Sequence, residues 1–196
     1  MPRRTGGREE ARDRARIAAV AARLILEHGI SDWSLAKRKA AHQLMLDARA
    51  ALPADDEIED ALAAHQSLFG GASQAEGLAR MRGEALRWMR DLAAWSPRLT
   101  GGVAAGWAGD HNEIRIELVA DDAKAVELAL INHGVVYRVA PSGTNGGAEL
   151  AIDAPGGSVR LVVLTPAVAR QRPHGRGGGR PRPSLDAEAV EALLRR

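Results

Sequence analysis

Cysteine is missing from this 196-residue chain. That excludes disulfides, thiolate-ligated zinc and a cysteine nucleophile. Aromatic residues are scarce as well, at 3%. A stacking platform for single-stranded nucleic acid needs more aromatic faces than that. No apolar run approaches the roughly 18 residues that span a membrane. No apolar segment follows Met1-Pro2-Arg3-Arg4, as it would in a signal peptide. The expectation is a cytoplasmic protein without a membrane partner. Ser/His/Asp hydrolysis has no G-x-S-x-G elbow to start from. The 6 histidines show no H-E-x-x-H spacing.

What is present suits one compact domain or two small ones. Hydrophobic residues make up 45% and charged residues 27%, with a net charge of only +2. The basic surplus gathers at the two ends. Arg170, Arg172, Arg176, Arg180 and Arg182 fall in an acid-free Gly/Pro-rich segment at 170–183. They are candidate nucleic-acid contacts, against the plainer reading of a solvated loop. Lys37, Arg38 and Lys39 are consecutive on an expected helix. At about 100° per residue they spread around it, which disfavours a tight anion site.

Periodicity and breakers divide the chain in two. Residues 1–73 read as a helical region. One helix carries Ile17, Val20, Ala21, Leu24 and Ile25 and ends at Gly29. A second starts at Ser31 or Asp32 and runs without interruption through Leu44 and Met45 to Leu46, toward Pro53. A third, capped by Asp55 or Asp56, carries Ile58, Leu62 and Leu68 and breaks at Gly70-Gly71. Residues 74–196 read as an α/β domain. It opens with a helix from about Gln74 to Trp95, striped by Leu78, Met81, Ala85, Leu86, Met89 and Leu92 and stopped by Pro97. Glu113 to Val119 then alternates strictly, as a strand with one face in a core. Asp121-Asp122 caps a helix carrying Ala125, Val126, Leu128, Ala129 and Ile131, closed by Gly134. Strands are expected at 135–139, 148–152 and 159–164, the last two joined as a hairpin through Pro155-Gly156-Gly157. A final helix, Leu185 to Leu194, takes Ser184 as its cap. The fold class is α+β: a helical N-terminal half followed by a small mixed β-sheet with flanking helices.

The sharpest candidate cluster lies within residues 101–118, GGVAAGWAGDHNEIRIEL. Gly101, Gly102 and Gly106 could let backbone N–H groups approach a phosphate. Glu113, Arg115 and Glu117 project from one face of the following strand. They read either as a phosphate site, with Arg115 contacting the anion directly, or as a salt-bridge ladder on a solvated face.

This stretch resembles the active-site signature of the nucleotidyltransferase superfamily, the DNA polymerase beta-like group, whose pattern is roughly G-S-x-A-x-G, a spacer, then S-D-x-D. Gly101 and Gly102 fall on the G-S, Ala104 on the alanine and Gly106 on the last glycine. Asn112 falls on the serine and Glu113 on the first metal-binding aspartate. Arg115 stands in place of the second aspartate, and a guanidinium cannot ligate Mg²⁺. The family's third carboxylate belongs on a later strand, where 159–164 offers Arg160.

The resemblance implies a nucleotidyltransferase-like fold. With its carboxylates depleted, it implies a non-catalytic module binding a nucleotide (NTP), RNA or a protein partner. If active, the protein would move NMP from an NTP to an acceptor, with Mg²⁺ or Mn²⁺. Glu113 and Asp110 would then be the metal candidates, Glu113 and Glu117 the catalytic ones. Glu117, Asp110, Glu149 or Asp153 would have to supply the missing carboxylate. The helical half resembles the opening of small proteobacterial proteins labelled nucleotidyltransferase-like or UDP-N-acetylmuramate–alanine ligase; the ligase would need a G-x-x-G-K-[ST] loop that the sequence lacks. Residues 14–30 are similar to the first helix of TetR-type repressors, which makes DNA binding a minor alternative.

Overall fold

The computed structural model describes residues 4–30, 32–46, 51–109, 111–140, 147–171 and 183–195. The chain divides into two compact units, Met1–Ala72 and Ser73–Arg196.

The first unit holds three helices: α1 (Arg4–His28), α2 (Trp33–Gln43) and α3 (Asp55–Phe69). Ile17, Ala21, Leu24 and Ile25 form the buried stripe of α1, which packs against α2 and α3. Asp32 caps α2, its carboxylate accepting the Leu35 N–H at 3.1 Å. The expected extension of α2 to Leu46 does not occur. Leu46 N–H reaches Ala41 O and Met45 N–H reaches His42 O, a Schellman ending. Met45 takes the left-handed position at φ 54° that glycine usually fills, and it is 94% exposed. Leu35, an apolar residue of the first turn of α2, is exposed too. At α3 the cap position is Ala54 rather than an aspartate. Its N–H donates to the Glu57 carboxylate at 2.8 Å, so the acids of the first turn act from inside the helix. Ile58 and Leu62 are buried, but Leu68 lies in the exposed last turn.

The second unit is built on one five-stranded mixed sheet, which with its helices makes the protein α+β. The strands are β1 (Arg98–Thr100), β2 (Ile114–Val119), β3 (Arg138–Ala140), β4 (Ala148–Ala154) and β5 (Gly157–Leu164), in the order β1-β2-β5-β4-β3. Only β2 and β5 run parallel; the other neighbours are antiparallel. The helices are α4 (Ala72–Asp91), α5 (Gly101–Ala105), α6 (Ala123–Asn132), α7 (Pro166–Gln171) and α8 (Ala187–Leu194). A short 3₁₀ turn, Ala93–Trp95, ends the first of these before Pro97.

One sheet face carries Ile114, Ile116 and Leu118 of β2, Val159, Leu161 and Val163 of β5, and Leu150 and Ile152 of β4. These pack in one core with Leu78, Met81, Ala85 and Met89 of α4, Val126 and Leu130 of α6 and Val190 of α8. The buried stripe of α6 is thus Val126 and Leu130, while Leu128 and Ile131 are exposed. Helix α6 ends in a second Schellman motif, with Gly134 at φ 68°. That turn and the Tyr137 hydroxyl, which donates to Glu127, occupy residues 134–137. Strand β3 is therefore three residues long instead of five.

Leu185 does not open the last helix. It exchanges two backbone hydrogen bonds with Leu99 (2.8 and 2.9 Å) along the outer edge of β1. Arg98 holds the same segment, donating to Ser184 Oγ and to Ser184 O. Asp186, not Ser184, caps α8. Among the described residues, β3 pairs on one side only.

Candidate functional site

The second face of the sheet carries the charges that the alternation of β2 places there. Strand register sets Arg115 opposite Arg160 on β5, and Glu117 opposite Val162. Two guanidinium groups on neighbouring strands repel unless carboxylates lie between them. Glu113, just before β2, and Glu149, on β4, meet that need. Arg160 Nε and Nη2 each donate to one oxygen of Glu113, both at 2.6 Å. Arg160 Nη1 donates to Glu149 at 3.1 Å. Arg115 reaches Glu149 only loosely, at 3.5 Å.

The four side chains differ in exposure. That of Glu149 is 7% exposed, Arg160 22% and Arg115 27%. Val162 and Leu164 are buried on the same face. A charge beside such aliphatic side chains is poorly hydrated, so its partners weigh more than they would in water. The pKa of Arg160 is raised, first by its hydrogen bonds to Glu113, against the opposing effect of burial, with the charges of Glu113 and Glu149 adding to it. Arg160 thus spends a donor from each of its three nitrogens, while Arg115, with one loose contact, is the less committed cation.

The metal ions implied by the resemblance do not fit this donor set. Both oxygens of Glu113 are engaged by a bidentate guanidinium. Arg115 fills the second ligand position, and Glu149 divides its oxygens between two arginines. The other candidate carboxylates are dispersed. Asp153 sits at the far end of β4 in an exposed pair with Arg138. Glu117 is partly exposed on the same face, opposite Arg98 of β1. Asp110 lies outside the described residues. Among the described residues no group of three or more histidine, aspartate or glutamate side chains could hold a metal.

The Gly-rich stretch folds as a short helix instead of an open loop. Gly101 and Gly106 mark its two ends, with φ of 72° and 88°. The N–H groups of Gly106, Trp107 and Ala108 all point back to Gly102 O. They are spent inside the turn and cannot cradle a phosphate. Gly102 is buried, and a Cβ there would meet the Trp107 ring at 2.6 Å, so the position has room only for glycine. Asn112 closes the next turn, accepting from Gly109 N–H at 2.8 Å. Of the arginines at 170–183, Arg170 lies in the last turn of α7, and Arg172, Arg176, Arg180 and Arg182 lie outside the described residues.

Sequence reasoning passed over Arg82. Leu78, Arg82, Ala85 and Met89 stand at i, i+4, i+7 and i+11, so this arginine falls in the middle of the buried stripe of α4. A charge at a core position was the available signal. Its Nε donates to Val103 O at 3.3 Å, and its Nη2 lies 3.4 Å from where a Gly106 Cβ would be. Burial lowers its pKa.

No protein-family model matches the chain, and a search of curated proteins finds no match to it.

Proposed function

We propose that this chain is a cytoplasmic, non-catalytic nucleotide-binding module on a nucleotidyltransferase-like frame. In this reading guanidinium groups hold the phosphates directly, in the place where metal-binding carboxylates would hold them through Mg²⁺. The observation that carries it is the bidentate bond from Arg160 to Glu113, with Arg115 directly across the strand pair. That bond neutralises the one carboxylate matching the signature. It also leaves Arg115, with a single loose partner, as the group free to take an anion. A small phosphate ester suits this compact cluster better than an extended RNA. The basic residues Lys37, Arg38 and Lys39 belong to the other unit, and aromatic faces for base stacking are few.

Two measurements test the reading. Isothermal titration with ATP and GTP in EDTA should show binding that Mg²⁺ does not improve and that Arg115→Ala weakens. Incubation with α-labelled nucleotides, Mg²⁺ or Mn²⁺ and a cell extract should move no label. Metal-dependent label transfer abolished by Glu113→Gln would overturn the proposal in favour of an active nucleotidyltransferase.

A further inference from the structure

We infer that the chain pairs with a second copy of itself, with β3 of each copy lying antiparallel across a two-fold axis and the outer flanks of the two α6 helices meeting beside it. This pairing does not depend on the nucleotide-binding reading.

Four large apolar residues between positions 128 and 139 stay in water: Leu128, Ile131, Val136 and Val139, each more than half exposed. Scattered apolar residues on a surface are ordinary, but a contiguous strip marks an interface. Glu127 and Ile131 share a flank of α6 at i, i+4. The Glu127 carboxylate accepts from the Tyr137 hydroxyl, just before β3, at 2.8 Å. That flank therefore looks toward β3, with Leu128 one turn before Ile131. Val139 stands opposite Leu150, a core residue on the sheet face that α6 covers. Residues directly opposite share a face, so Val139 lies on the α6 side of the sheet. Leu128, Ile131 and Val139 thus line one rim, beside a strand that pairs on one side only among the described residues.

An open strand edge takes another strand. The opposite rim of the sheet is closed by Leu185 against Leu99, so among the described residues a second copy offers β3. Antiparallel pairing centred on Val139 brings the two valines together. It sets Arg138 against Ala140 of the other copy, so like charges never stand opposite. A two-fold axis normal to the sheet keeps both α6 helices on one side, strip against strip. Charge agrees with this occupant. The strip itself carries none, and exposed Lys124 and the Arg138–Asp153 pair border it with both signs. An uncharged centre with a mixed polar border suits self-association better than capture of a nucleic acid or a strongly charged partner. A net charge of +2 opposes the meeting of two copies only weakly. Three strand residues alone would not hold two molecules, and the α6 strip supplies the apolar burial that so short a ladder lacks.

Sedimentation of the full chain from micromolar to millimolar concentration should show a reversible monomer–dimer equilibrium. Leu128→Lys and Val139→Lys, both at exposed positions, should each weaken the dimer about tenfold or more while leaving the circular dichroism unchanged. Leu68→Lys, at an exposed position on α3, should leave the equilibrium as it is. Because the chain has no cysteine, Val139→Cys introduces a single thiol. Mild oxidation should join two copies by a disulfide at that position, faster than it joins Leu68→Cys. A monomer at every concentration, a dimer that neither lysine weakens and position 139 does not cross-link, or assemblies that grow beyond two copies would overturn the inference.

Discussion

Arg160 serves two carboxylates, and what each loses without it differs. Glu113 is a third exposed and could rehydrate, whereas Glu149 is nearly sealed. Arg160→Met should therefore cost about 1–3 kcal/mol, mostly through Glu149, which is left with only its looser contact to Arg115, as read by urea unfolding. Arg160→Met with Glu149→Gln should recover part of that loss, because the buried charge goes with its partner. Gly102 offers a second test. A methyl group there collides with the Trp107 ring, so Gly102→Ala should cost about 1–3 kcal/mol and shift the tryptophan emission. The candidate residues were legible individually, but their pairing was not. Glu113 and Arg115 stand out by alternation on β2. Arg160 meets them only through the parallel register of β2 and β5, which joins positions 45 residues apart, and Glu149 only through the antiparallel pairing of β4 with β5.

At the scale of elements, apolar spacing told more about helices than about their ends. The stripes of α1 and α4 follow directly from i, i+3, i+4 spacing. The end of α2 was hidden because its left-handed residue is a methionine, and side-chain chemistry gives no hint of that conformation. Met45→Gly should relieve the strain and stabilise the protein by about 1 kcal/mol, measured as a raised midpoint in thermal or urea unfolding. Helix α6 misled for a different reason. Leu128 and Ile131 are apolar but exposed, so hydrophobicity counted more residues on its buried face than the sheet accepts. The last helix shifted by two residues because Leu185 is claimed by the edge of β1, a long-range contact with no local signature.

For the whole molecule, the α+β class followed from a change of period: helical spacing before Pro97, alternation after Gly109. Strand order did not, since nothing local tells β5 to insert between β2 and β4. The whole molecule also carries the metal prediction. An ion bound at a hundred times its dissociation constant would add about 2.7 kcal/mol of stability. In a chain of this size that raises the melting temperature by several degrees, at about 2–4 °C per kcal/mol. Calorimetric scans in EDTA and in Mg²⁺ should instead coincide. A rise with Mg²⁺ would mean that the Arg160–Glu113 bond opens to admit it.

The latch of Leu185 onto Leu99 has a consequence for how these molecules meet one another. A sheet with two bare rims can add neighbours without limit, like links in a chain. Here one rim is occupied from within, while β3, with Val139 exposed, pairs on one side only among the described residues. Sheet-to-sheet joining through that rim stops at a pair, so the same short contact that seats the last helix also denies the protein a route to fibres.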